Sequence, residues 1–276
     1  MRIDAHQHFW IYNEERDSWI TDEMSVIQKN FLPEDLKPLL APNRIDGSVI
    51  VQSEQSKEEN IFQLANALKH DFVKGVVGWI DLEADDLSDQ LEYYQEFRKL
   101  KGFRHVLQGE KQRDFMLRPK FMQGIGKLKD FGYTYDILIY PDQLNHTLEF
   151  VKAFPDQSFI IDHLAKPYIK NGEIDEWKNA MVQIASFENV FCKVSGMVTE
   201  SHWKQWKYDD FIPYLDAVAN SFGPQRLLFG SDWPVCLVAA ASYEQVIGLV
   251  ERYFSTFSKD EQELIFGKNA VTFYNL

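Results

Sequence analysis

Cysteine is scarce in this chain of 276 residues: Cys192 and Cys236 stand alone and form no CxxC pair. Neither a disulfide framework nor a thiolate metal site is expected, and a reduced, cytoplasmic setting fits. Apolar runs are short, and none approaches the roughly 20 residues needed to span a bilayer. The first strand-like run starts within a residue or two of Met1, so the sequence predicts no secretion signal. Positive charge is also in short supply. The 29 Lys and Arg against 42 Asp and Glu leave a net charge of −13. That balance disfavours nucleic-acid binding and offers no field for drawing in a strongly anionic substrate, so a neutral small molecule is the better partner. No Gly-rich phosphate loop follows the first strand, and no Pro/Gly/Ser linker divides the chain.

What the chain does contain is a rhythm of strand then helix, repeated eight times. Strands are expected near residues 2–8, 48–52, 73–80, 103–107, 133–139, 159–163, 190–195 and 227–231. A long aromatic segment, residues 9–32, follows the first strand and leads to a short helix at 33–40. The next helix opens with Ser56 and Glu59 at capping-box spacing, with Ile61, Leu64, Ala65 and Leu68 as its expected inward stripe. Further helices are expected near 86–101, 119–131, 142–154, 175–187, 209–222, 242–254 and 259–274. Parallel neighbours need long return connections, so eight alternations predict a (β/α)8 TIM barrel, an α/β fold, in one domain covering 1–276. An open doubly wound sheet usually has five or six strands and fits less well.

In such a barrel, residues ending different strands converge at one mouth. His6 and His8 sit two apart at the end of the first strand and therefore share a face. Imidazoles so placed can bind a borderline metal such as zinc or polarise a carbonyl directly. Asp4 has the same parity and is expected to orient one ring from below. His163 ends strand six, where the alternative is a buried histidine satisfied by a backbone carbonyl. Asp162, of opposite parity, is expected to face the helix layer. Asp232 ends strand eight, either as a turn cap or as a carboxylate general base for water. In strand four, Arg104 or His105 must face inward, and an inward Arg104 could bind a substrate oxygen. Trp10, Trp19, Trp203, Trp206 and Trp233 fall in loops after strands one, seven and eight, where they can wall a ring substrate or simply pack a lid. His202, in the loop after strand seven, is open to either role; His70 and His146 lie in expected helices and suit surface or core.

Taken together, Ile3-Asp-Ala-His-Gln-His-Phe-Trp10, Gly102-Phe-Arg-His-Val106, Ile161-Asp-His-Leu-Ala-Lys-Pro167, Cys192-Lys-Val-Ser-Gly-Met-Val-Thr-Glu200 and Leu228-Phe-Gly-Ser-Asp-Trp-Pro-Val235 resemble the amidohydrolase superfamily. The resemblance is to its lactonase branch of L-fuconolactonases, L-rhamnonolactonases and pyrone-dicarboxylate lactonases, and it runs end to end. It implies an active site of His6, His8, His163 and Asp232. Strand five ends Ile137-Leu-Ile-Tyr140, without the histidine of the binuclear branch, so two bridged metals are not expected. The resemblance leaves either no obligatory cofactor or one divalent metal, zinc first, on His6, His8, His163 and Asp232.

The expected reaction is hydrolysis of a neutral sugar lactone, with Asp232 activating water and the histidines or a metal polarising the carbonyl. Arg104, Trp19 and Trp233 are the expected substrate contacts. Arg104 is the one arginine within the last residues of a strand, with Arg113 and Arg118 in the following loop, which favours an aldonolactone over a dicarboxylate lactone. Two alternatives stand beside it: a metal-dependent decarboxylase of the same superfamily, and a non-catalytic barrel that binds a ring ligand.

Overall fold

The computed structural model describes residues 1–276, and eight parallel strands follow one another around a barrel in sequence order. They are β1 (Ile3–Gln7), β2 (Gly47–Val51), β3 (Val73–Gly78), β4 (Leu100–His105), β5 (Thr134–Ile137), β6 (Phe159–Ile161), β7 (Val190–Val194) and β8 (Leu227–Phe229). Each pair from β1–β2 to β7–β8 is parallel. The ring returns on itself just beyond the last strand, where Asp232 N donates to His6 O (2.8 Å) and His8 N to Trp233 O (2.7 Å).

The helical layer comprises α1 (Pro33–Leu40), α2 (Lys57–Lys69), α3 (Leu87–Tyr94), α4 (Pro119–Leu128), α5 (Leu144–Lys152), α6 (Asp175–Ala185), α7 (Ile212–Phe222), α8 (Tyr243–Phe254), α9 (Lys259–Glu263) and α10 (Asn269–Tyr274). No helix is long and apolar enough to cross a membrane. Local chemistry accounts for several starts: Pro33 and Pro119 open α1 and α4, and the Ser56 hydroxyl accepts from Glu59 N to cap α2.

Inside the barrel, Ile3, Ala5, Val49, Val51, Val77, Ile160 and Leu228 form an apolar layer, closed from the amino-terminal end by Phe273 and Tyr274 of α10. The other strand face packs against the helices in one large core. Burying this surface, at about 25 cal/mol per Å² of apolar area, holds the strand ends in a fixed ring.

Two expectations about the helices do not hold. The segment after β3 forms a short helix, because the chain enters β4 at Leu100, before the expected strand start at 103. On α2 the expected stripe is rotated: Ile61 and Leu68 are 64% and 74% exposed. Polar partners turn the helix. Asn60 bonds both Trp79 N (2.8 Å) and Trp79 O (2.6 Å), and Gln63 donates to Phe9 O (2.7 Å). Satisfying those buried backbone groups outweighs burying two aliphatic side chains.

Candidate active site

Four side chains from three strand ends meet at the carboxyl-terminal mouth. Asp232 Oδ1 lies 3.3 Å from His8 Nε2, 3.9 Å from His6 Nε2 and 3.9 Å from His163 Nε2. The Nε2 atoms of His6 and His8 are 3.2 Å apart. All four residues are at most 5% exposed. His8, His163 and Asp232 form part of the floor of a cavity of about 400 Å³, whose walls include Trp10, Trp19, Glu54, Gln108 and Lys166, with His6 buried behind them.

Two local irregularities shape this meeting point, a bulge in β1 and a left-handed turn after β6. Between Asp4 and Gln7, β1 carries one residue more than its partner stretch on β2, a bulge. The bulge lets Ala5 join the inner apolar layer while His6 still points into the barrel. It also corrects the expectation for Asp4, which faces away from the rings. Asp4 accepts from Ser231 N (2.8 Å), Ser231 Oγ (2.6 Å) and Tyr243 OH (3.0 Å), and so ties β1 to the residue before Asp232. Burial pushes the Asp4 carboxyl up to about 6 against these bonds.

His163 reaches the mouth through backbone strain. From His163 to Lys166 four consecutive residues have positive φ (54°, 54°, 56° and 49°), none of them glycine. Each costs about 1–2 kcal/mol against the right-handed form. β6 has ended at Ile161, and this left-handed turn swings the imidazole into the site. Asp162 keeps the strand alternation and follows Ile160 inward. The expectation that it faces the helix layer is therefore corrected: Asp162 is fully buried beneath the histidines.

Below the mouth lies a charged layer. Arg104 Nη1 donates to Asp162 Oδ2 (3.0 Å), while Lys193 Nζ contacts Asp162 Oδ1 (3.0 Å), His6 Nδ1 (3.2 Å) and Asp136 Oδ2 (2.5 Å). Tyr274 OH donates to Asp136. Arg104 is thus the inward residue of β4, and His105 instead stacks on Phe115 in the outer layer. Lys193, Asp136 and the role of Asp162 were not anticipated. A lysine in the middle of Val190-Phe-Cys-Lys-Val194 was the available signal, since a buried strand holds a charge only when it is paired.

The tryptophans divide. Trp10 and Trp19 line the cavity, with rings 6.0 Å apart edge to face. Trp233 does not line it: its ring is buried against Phe9 and Phe31, and only its carbonyl serves the site, through His8 N. Trp203 and Trp206 donate to Thr199 O and Ala239 O and pack the loop. His202 opens onto a separate surface groove, His70 contacts Glu34, and His146 lies on α5.

Burial lowers His6 well below the usual imidazole value and His163 to about 4, so both rings are neutral near pH 7. Burial alone would raise Asp232, but His163 and His8 outweigh it and hold the carboxylate ionised. Three of the donors fit a divalent cation: the His6–His8 and His8–Asp232 separations of 3.2 and 3.3 Å match the edge of a tetrahedron with bonds of about 2.0 Å, and His163, 3.9 Å from Asp232, stands outside that group. His8 Nδ1 lies 2.7 Å from Val51 O and His163 Nδ1 2.9 Å from Ser195 Oγ, so both rings are anchored from behind with Nε2 turned to the centre.

Gly196 supports His163 from behind, at φ +62°, and a Cβ there would overlap the imidazole. Gly196→Ala is expected to displace the ring and reduce kcat/KM about 100-fold, with circular dichroism unchanged. Wild-type kinetics in that variant would show that the ring has room to move.

A parallel eight-stranded barrel with a histidine–aspartate centre at its carboxyl-terminal mouth defines a (β/α)8 barrel of the hydrolase type. The chain belongs to the amidohydrolase family, whose model matches residues 3–276. It is 37% identical over 287 residues to the L-fucono-1,5-lactonase of Burkholderia multivorans, covering 100% of this chain and 96% of that one. Identity to the L-fucono-1,5-lactonase of Burkholderia ambifaria is 34%, with the same coverage. A crystal structure of a Burkholderia multivorans amidohydrolase with bound zinc superposes with a TM-score of 0.94 at 38% identity, covering 100% of this chain and 99% of that one.

Proposed function

We propose that this protein hydrolyses a neutral sugar-derived lactone, of the L-fucono- or L-rhamnonolactone kind, to the open aldonic acid. The observation that carries the reading is an ionised carboxylate, Asp232, set among three imidazoles on the floor of an aromatic-walled cavity. The two L-fucono-1,5-lactonases at 37% and 34% identity support the substrate class.

In this reading, Asp232 takes a proton from water, and the water oxygen bonds to the lactone carbonyl carbon as the C=O electron pair moves onto oxygen. His6, His8 and His163, with Arg104 behind them, stabilise the resulting oxyanion. The carbonyl re-forms, the bond to the ring oxygen breaks, and protonated Asp232 returns its proton to the departing alkoxide. The hydroxy acid leaves and Asp232 is ionised again. A divalent cation such as zinc, held by His6, His8 and Asp232, would polarise the carbonyl and make bound water more acidic. Trp19 supplies a face for the sugar ring.

Charge pairing around the cavity favours a neutral substrate. Arg104 is committed to Asp162, Arg16 to Asp17 and Glu54, and Lys166 to Glu200. Arg113 and Arg118 are paired with Asp142 and Glu83 away from the cavity. No unpaired arginine is left there to take a substrate carboxylate in bidentate fashion. A pH-indicator assay over five- and six-membered aldonolactones and dicarboxylate lactones is expected to show acid release fastest with a neutral sugar lactone. Faster turnover of a dicarboxylate lactone would overturn the substrate class. Carbon dioxide release from an aromatic acid, with every lactone inert, would replace hydrolysis by decarboxylation.

A further inference from the structure

We propose that Trp177 of α6 is a positioning residue for His163: its indole N–H holds the left-handed turn that carries the imidazole into the site. The inference rests on the hydrolase reading for its catalytic meaning, while the turn and its anchor stand on geometry alone.

His163 occupies a place that its own strand does not give it. Asp162 follows the strand alternation inward, so an extended continuation of β6 would send the next side chain outward, to the helix layer. Instead residues 163–166 run left-handed, at φ 54°, 54°, 56° and 49°, with no glycine among them. A Cβ disfavours that region, so such a turn persists only where its surroundings hold it. At one carbonyl the turn closes on itself, with Lys166 N donating to His163 O (2.7 Å). The next carbonyl, Leu164 O, has no such option. The residue three positions on is Pro167, which has no N–H.

Trp177 supplies the missing donor. Its Nε1 lies 2.7 Å from Leu164 O, and an indole nitrogen can only donate. Leu164 is fully buried and Trp177 only 4% exposed, so solvent does not compete for this carbonyl. The indole is itself fixed. Its ring packs T-shaped on Tyr214 of α7, with centroids 5.4 Å apart, and Tyr214 OH donates to Glu173 O (3.2 Å) just before α6. The bond therefore ties the turn to two helices of the outer layer.

Inside the barrel, Ser195 Oγ, 2.9 Å from His163 Nδ1, and the bare Cα of Gly196 set the rotation of the ring. They act on a side chain whose Cα the turn has already placed. Without the indole, Leu164 O would be a buried carbonyl with no partner. The turn is then free to relax toward right-handed or extended backbone. Either change swings the imidazole away from Asp232, whose Oδ1 now lies 3.9 Å from its Nε2.

The first measurement needs no variant. In the unmodified protein, labelled with 15N on tryptophan, the Trp177 indole N–H is expected to exchange slowly with deuterated solvent. Rapid exchange there overturns the proposal. Trp177→Phe keeps an aromatic ring against Tyr214 and removes the donor. It is expected to lower kcat on the preferred lactone about 10- to 100-fold with KM within about threefold, because Trp10, Trp19 and Gln108 of the cavity wall lie outside the turn. In a His163→Asn background the same substitution is expected to cost nothing further, since its effect passes through the ring. An equal loss in both backgrounds, or a lower melting temperature with wild-type kcat, shows a structural role only and sinks the proposal. With 15N on histidine, Trp177→Phe is expected to shift the His163 ring signals and leave those of His8 in place. Unchanged His163 signals in the folded variant overturn it as well. Shifted signals in a protein that opens no lactone support the positioning and remove only the hydrolase reading.

Discussion

Asp232→Asn is expected to lower kcat on the preferred lactone by about 10³-fold or more, with the melting temperature nearly unchanged. The size follows from losing one group that acts twice, as base toward water and as acid toward the ring oxygen, in a step where positioned proton transfer contributes about 10²–10⁴-fold. The stability follows from the backbone. Asp232 has φ +56°, a left-handed conformation that asparagine accepts readily, and the backbone bonds flanking it, from Asp232 N to His6 O and from Cys236 N to Asp232 O, are untouched. The wild-type pH profile provides a second check. His163 and His8 hold the carboxyl below its ordinary value of 3.8, so the ionised base persists above that range and is lost only as pH falls through the lowered value. An acid limb near pH 6, or normal turnover by the asparagine variant, would falsify the assignment of Asp232 as the base.

Asp162→Ala is expected to cost about 3–5 kcal/mol, the typical penalty for breaking a buried ion pair. At roughly 2–4 °C per kcal/mol for a large domain, thermal melts should fall by about 6–20 °C. The reason lies in what remains. Arg104 and Lys193 both lean on this carboxylate, each at 3.0 Å, and Lys193 would be left with Asp136 as its one carboxylate partner. Burial raises the Asp162 carboxyl, but Lys193, His6 and Arg104 together hold it well below 3.8. A depressed folded value contributes stability that is present above the unfolded value and lost as pH falls through the folded one. The penalty of the variant should therefore be full at pH 7 and shrink only in strong acid. A loss under about 1 kcal/mol would mean that water reaches and screens the layer.

These two residues mark how far the sequence could be read. The place of Asp232 was legible because the strand ends of a barrel meet at one mouth, which brings it beside His6, His8 and His163. Asp162 was misplaced because strand alternation was carried one residue too far. Alternation does put Asp162 and His163 on opposite faces, but it is Asp162 that points inward, and His163 comes back only through the left-handed turn from His163 to Lys166. Asp4 was misread for a related reason: a single extra residue in β1 reverses the face of everything before it. A bulge and a left-handed turn without glycine leave no periodic trace.

By itself the amino-acid order determined the eight strands, their parallel sequence around a barrel, and the four residues at its mouth. Eight strand–helix alternations with long return connections admit few other folds, and the strand ends of a barrel share one location. Only the tertiary structure decided which charges lie beneath the histidines and which partner each takes. Lys193, Asp136, Asp162 and Arg104 come from four different strands, and the distances among them depend on barrel register. Trp233 shows the same division. Its position after β8 placed it near the site, but packing against Phe9 and Phe31 turned its ring away and left only its backbone to hold His8. Periodicity along one strand specifies a face, whereas contact across the barrel depends on the register and closure of all eight.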